Sequence, residues 1–166
     1  DICAVLAEDK EFTKTFSEGY PDGFSQANIT EAIAEFEKTL LTPSRFDQYL
    51  RGNKSALTAE EQEGYALFKA NKCATCHVGM NIGGQSYDYM GIKNSYFDYR
   101  GTGLTDGDNG RYAVTKQESD LHKFKTPTLR NVMITYPYMH DGSINNIEDA
   151  VRIMHEFQIG TTISDT

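Results

Sequence analysis

The chain has 166 residues, 39% of them hydrophobic, and a formal net charge of −8. That is enough apolar material for one packed domain with an appendage. No apolar run is long enough to cross a bilayer, and no clustered basic stripe offers a surface to nucleic acid. The acidic balance suits either steering of a positively charged partner or plain solvation. The opening Asp1-Ile-Cys-Ala-Val-Leu-Ala-Glu lacks the basic and long apolar regions of a signal peptide, so the expectation is that any such peptide has already been removed. Cys3 reads as an unpaired, buried small residue.

Residues 1–20 are polar and helical in flavour, and Tyr20-Pro-Asp-Gly23 signals a turn. A helix is predicted from Asn28-Ile-Thr30 onward, with Ile29, Ile33, Phe36 and Leu40 recurring at helical spacing as a core stripe. Thr42-Pro43-Ser44 stops it, and Phe46, Tyr49 and Leu50 form a short second amphipathic turn. Arg51-Gly-Asn-Lys is the best boundary candidate. A new helix is predicted from Thr58, with Glu61 completing a capping box. Tyr65 and Phe68, with Leu67 alongside, form its apolar side, and it runs almost into Cys73.

The pentapeptide Cys73-Ala-Thr-Cys76-His77 follows. Two cysteines separated by two residues and followed at once by histidine match covalent attachment of a c-type haem. Each thiol can form a thioether to one vinyl group, and His77 is then held beneath the iron as proximal ligand. A zinc site would need a second ligand pair, and Cys3 is the only other cysteine. A thioredoxin-like pair would sit in a βαβ pattern that is absent from the sequence. In bacteria, covalent haem attachment implies export, here to the periplasm.

Residues 79–112 are rich in Gly, Tyr, Asp and Asn, with little period. Asp106-Gly-Asp108-Asn-Gly110 invites a calcium-loop reading, but its glycines are misplaced for an EF-hand and position twelve is Gln117, so a turn is expected. Tyr87, Tyr89, Tyr96, Phe97 and Tyr99 suit either a haem wall or core cover. Asn145 is expected to open the last helix, with Glu148 in the capping-box position. A low-spin haem needs a sixth ligand. Met80 follows His77 too closely; Met90, Met133, Met139 and Met154 remain. Met154 is favoured because it shares a helix face with Ala150 and Val151, while the adjacent His155 would point elsewhere. An ordinary core methionine is the bland alternative.

Phe124-Lys-Thr-Pro-Thr-Leu-Arg-Asn-Val132 and Tyr136-Pro-Tyr-Met-His-Asp-Gly142 resemble the bacterial di-haem cytochrome c peroxidases and their MauG-like relatives. Phe36-Glu-Lys-Thr-Leu-Leu-Thr-Pro43, Gly110-Arg-Tyr-Ala-Val-Thr115 and Ile147-Glu-Asp-Ala-Val151 extend the likeness over nearly the whole chain, in the same order. The resemblance implies a mostly α fold: a class I cytochrome c-type haem domain, part of a two-domain di-haem peroxidase. Residues 1–50 would be the helical tail of the N-terminal, peroxidatic domain. Residues 51–166 would be the C-terminal cytochrome c domain without its final helix.

The resemblance also implies one haem c in this chain and two in the parent protein. The haem here would be bound by Cys73 and Cys76, with His77 and Met154 on its iron. A tyrosine takes the distal place in the MauG-like branch. Calcium would be bound between the domains, partly through the backbone carbonyls of Thr135 and Pro137, and His140 would support the site rather than react. The implied partners are hydrogen peroxide, a small cytochrome c or cupredoxin donor, and the missing peroxidatic domain. The resemblance admits a homodimer.

The departures are the single CxxCH, the absence of Trp and a chain that stops at Thr161-Thr-Ile-Ser-Asp-Thr166. They make an internal portion of a longer protein the expectation. The rival readings are a stand-alone monohaem electron carrier and a MauG-like enzyme that oxidises a protein substrate.

Overall fold

The computed structural model describes residues 1–40 and 43–163. The expected helix stop at Thr42 and the end of the closing loop at 164–166 lie outside the described residues. The chain forms two compact units, Asp1–Thr58 and Ala59–Thr166. The segment after Leu50 belongs to the first of them: Lys54–Ala56 is a 3-10 turn whose Ala56 carbonyl accepts from Arg45 Nη1 at 3.2 Å.

The first unit contains α1 (Ile2–Leu6), α2 (Lys10–Gly19), α3 (Gln26–Thr39) and α4 (Arg45–Leu50). Each starts where a short polar side chain takes an otherwise orphaned backbone N–H. Asp1 accepts from Cys3 N, Asp9 from Phe12 N, Ser25 from Asn28 N and Ser44 from Asp47 N. Ser25 therefore opens α3 two residues ahead of the predicted start, and Asn28 caps nothing; its amide instead donates to Gly23 O at 2.7 Å and ties down the Tyr20–Gly23 turn. Phe12, Phe16, Tyr20 and Phe24 stack on one another, with Phe16 and Phe24 centroids 4.5 Å apart. The predicted core stripe of α3 is not covered within this unit: Ile33, Phe36 and Leu40 are 52–61% exposed. Cys3 is unpaired and half-buried rather than buried.

The second unit begins with α5 (Ala59–Ala70), which leads through a 3-10 turn at Cys73–Thr75 into a long loop. Then come β1 (Tyr87–Tyr89), α6 (Tyr96–Arg100), α7 (Tyr112–Thr115), β2 (Lys123–Lys125) and α8 (Ile147–Met154). Its regular structure is mostly helical; β1 and β2 pair antiparallel with Asp88 opposite Phe124. Asn146, not Asn145, caps α8, accepting from Asp149 N at 2.8 Å, so Asp149 rather than Glu148 occupies the third helical position. The helix continues as a π-helical turn, His155–Ile159, and ends at Gly160 in the left-handed conformation.

The buried side of this last element is Ala150, Ile153 and Phe157, while Val151 is 51% exposed. The predicted Ala150–Val151–Met154 face is therefore rotated toward Ile153. Tyr96, Ile153 and Phe157 form the core, with Met90, Phe97, Met139 and Ile144 packed on it. No described helix is long and apolar enough to cross a membrane.

Candidate functional site

Helix α5 delivers Cys73, Cys76 and His77 in one turn, closed by His77 N on Cys73 O at 3.0 Å. Neither cysteine is in a disulfide and both are half-buried. Burial pushes both thiols above their ordinary range, and for Cys76 the adjacent Asp88 carboxylate adds to the rise. Both thiols are thus held toward the neutral S–H form.

The imidazole of His77 is oriented by backbone. Its Nδ1 lies 3.3 Å from the Ile82 carbonyl and 3.2 Å from the Pro127 carbonyl. Both partners only accept, so Nδ1 carries the proton and Nε2 keeps its lone pair for a metal. Phe68, one α5 turn before the motif, lies 6.4 Å from the ring. Two segments make this arrangement. The loop 79–84 places Ile82 in the left-handed region at φ 49°, a conformation that strains a β-branched residue by about 1 to 3 kcal/mol. The segment after β2 fastens to it: Thr128 Oγ1 donates to Asn81 O at 2.6 Å, Arg130 Nε to Met80 O at 2.9 Å, and Gly84 N to Thr126 O at 2.7 Å.

Beside Cys76, Asp88 on β1 accepts from the hydroxyls of Ser86 and Thr126, both at 2.6 Å. These bonds hold its carboxyl below the ordinary carboxylate range. Asp88 escaped the sequence reading because its place depends on β1 pairing with β2, and a three-residue strand has too few positions to show alternation.

Met154 ends α8, half-buried. Both ring nitrogens of the neighbouring His155 are engaged, Nε2 3.1 Å from Asn71 Oδ1 and Nδ1 3.2 Å from Thr161 Oγ1. The first of these links pins the end of α8 to the residue two before Cys73. Of the other methionines, Met90 and Met139 pack on the core, and Met80 and Met133 are 75% and 66% exposed. Thr135 and Pro137 flank Tyr136, whose bond to Pro137 is cis. No cluster of three or more His, Cys, Asp or Glu able to hold a metal occurs among the described residues.

The Asp106–Asn109 turn is a polar keystone rather than a cation loop. Asp108 is 1% exposed and its carboxylate receives both terminal nitrogens of Arg100 (2.7 and 2.6 Å), His140 Nε2 (2.7 Å) and Thr105 N (2.6 Å). Arg100 above all holds that carboxyl far below its ordinary range. His140 stacks on Phe124 with centroids 4.2 Å apart.

The donor set fits a covalently bound haem: two neutral thiols in one turn, a histidine with Nδ1–H committed to carbonyls, and half-buried apolar side chains around them. The sequence model of the family described as "Di-haem cytochrome c peroxidase" matches residues 1–55. Cytochrome c peroxidase Ccp of Escherichia coli (strain K12) is 49% identical over 161 residues, which cover 96% of this chain and 34% of that protein. Cytochrome c551 peroxidase of Nitrosomonas europaea is 44% identical over 157 residues, 93% of this chain and 45% of that one. A solved MauG-like protein associated with microbial copper homeostasis superposes with a TM-score of 0.68 at 29% identity, covering 90% of this chain and 47% of its own.

The chain belongs to the bacterial di-haem cytochrome c peroxidase and MauG-like family, whose members carry haem c. It spans between about a third and a half of the length of these relatives.

Proposed function

We propose that this chain is the electron-entry portion of a periplasmic cytochrome c peroxidase that reduces hydrogen peroxide to water with electrons from a small cytochrome c or a cupredoxin. The observation that carries the reading is the His77 ring, oriented by two carbonyls directly after the paired thiols. Cys73 and Cys76 would tether the haem, and His77 Nε2 and Met154 Sδ would hold its iron. When bound, the haem supplies a one-electron couple, and thioether ligation favours the ferrous state and raises the potential. Two protein ligands on the iron would leave peroxide no place here, and its reduction would fall to a second haem elsewhere in the whole protein.

Residues 1–50 would be the tail of the domain that carries that second haem. The carbonyls of Thr135 and Pro137 accept no hydrogen bond among the described residues, which leaves them available to a calcium ion. The engagement of both His155 nitrogens supports Met154 over its neighbour as the distal ligand.

Intact mass and covalent haem count of the natively purified protein test the reading. Two haems on a chain roughly twice this length are expected; one haem on a 166-residue chain would make it a stand-alone electron carrier. The likeness to a MauG-like protein favours one second reading, a protein-oxidising enzyme. Met154→Leu separates the two: loss of the sulfur-ligated spectrum supports the peroxidase, and an unchanged spectrum supports the second reading.

A further inference from the structure

Three of the bonds around His77 serve its backbone acceptors rather than the ring. Ile82 presents its carbonyl from a left-handed conformation that a β-branched residue does not hold unaided. Something must hold it. Thr128 Oγ1 grips Asn81 O at 2.6 Å and Arg130 Nε grips Met80 O at 2.9 Å, the two peptides immediately before Ile82. Leu129 N donates to the Ile82 carbonyl itself at 3.2 Å. On the other side, Gly83 lies flat against the second acceptor: a Cβ added there would fall 1.9 Å from the Pro127 oxygen. Any side chain at 83 would push that carbonyl off the imidazole.

We infer that Thr128 and Gly83 are positioning residues for the iron-ligating histidine, clasping loop 79–84 to segment 126–130 so that two carbonyls share the His77 Nδ1–H and lower the reduction potential of the site. The chemistry is that of an outer hydrogen bond to a ligating imidazole. Each acceptor draws on the N–H proton, gives the ring imidazolate character and makes Nε2 a stronger donor, which favours the more highly charged metal. The clasp therefore opposes the rise in potential that thioether ligation brings, and the loop position sets by how much. The Thr128 hydroxyl touches neither the imidazole nor either acceptor oxygen; it donates to Asn81 O and accepts from Arg130 N at 3.2 Å, so its influence on the ring is indirect. The inference rests on the reading of His77 as an axial ligand.

The test uses the whole haem-loaded protein with Thr128→Val, Thr128→Ser and Gly83→Ala. The expected result is an upward shift of the midpoint potential of the His77-ligated haem in Thr128→Val, return to the unsubstituted value in Thr128→Ser, and an upward shift in Gly83→Ala. Covalent attachment and the low-spin spectrum should be retained throughout. A Thr128→Val protein with haem attached and an unshifted potential overturns the inference. If the variants do not load haem, the unsubstituted holoprotein decides by nitrogen-15 NMR: a slowly exchanging Nδ1–H shifted toward imidazolate upholds the clasp, and a freely exchanging one overturns it. His77→Ala separates the two levels, because an unchanged haem spectrum there would remove His77 as ligand and leave nothing for the clasp to position.

Discussion

The two units of this chain are held by different kinds of interaction. In residues 1–58 the helix-shaping hydrogen bonds are local: caps one residue ahead of their helices, hydroxyls bonding back one turn, and Arg45 reaching Ala56. None of the four helices contains a buried residue. In residues 59–166 several bonds join segments far apart in the chain: His77 to Pro127, Met80 to Arg130, Asn71 to His155, Asp108 to His140. Local bonding is enough to shape helices. A site in which loop 79–84 and the segment after β2 converge on one imidazole needs long-range bonding.

The sharpest way to break this comparison is Asp108→Ala. It leaves Arg100 buried without its main partner, a change that costs about 3 to 5 kcal/mol. Urea unfolding should lose that amount in the second unit, while the helical signal of the first is unaffected. Equal losses in both would mean that the units are not energetically separable.

The same residue predicts a pH dependence. Because the folded carboxyl titrates below its unfolded value, the unfolded chain binds more protons in the interval between them, and stability there rises with pH. The contribution is complete above about pH 4 and is withdrawn as pH falls toward the folded value. Acid unfolding followed by circular dichroism should therefore be flatter below about pH 4 in Asp108→Asn than in the unsubstituted protein.

Smaller effects sharpen the other side of the comparison. Ser25→Ala removes the α3 cap and should cost about 1 kcal/mol, confined to the first unit and read by amide exchange in α3. Smallest should be Phe36→Ser: at 61% exposure it belongs with surface changes of about 0.5 kcal/mol or less. A loss several times larger in the natively purified protein would show that the α3 stripe is covered by polypeptide beyond these residues.

Much of the architecture is legible in the residues because the signals are local. A proline, a capping serine and a 3.6-residue period act within one or two turns, so the helices at α2, α3, α5 and α8 are readable, with starts misplaced by a residue or two where two adjacent polar residues compete to cap. Asn145 and Asn146 show that limit: both can accept a backbone N–H, and which one does depends on how Ile153 of the helix packs against Tyr96. The apolar face of α8 slips for the same reason. Ala150, Val151 and Met154 are a valid helical face, yet burial follows Ile153 and Phe157 because the π-helical turn at His155–Ile159 re-aims the end of the helix.

By itself the sequence brought together the residues that the proposed attachment chemistry needs. Cys73, Cys76 and His77 lie in five consecutive residues, so no fold is needed to bring them together, and the strings around Pro127 and His140 carry the family likeness. Only the tertiary structure decided what surrounds them: which carbonyls take the His77 proton, that Asp88 faces Cys76, that Asp108 neutralises Arg100, and that His155 is spent on Asn71. His77 and Pro127 are 50 residues apart and Asn71 and His155 are 84, and no local preference encodes a distance across a loop. They meet because β1 pairs with β2 and because a strained Ile82 is held in place by a threonine forty-six residues further along the chain.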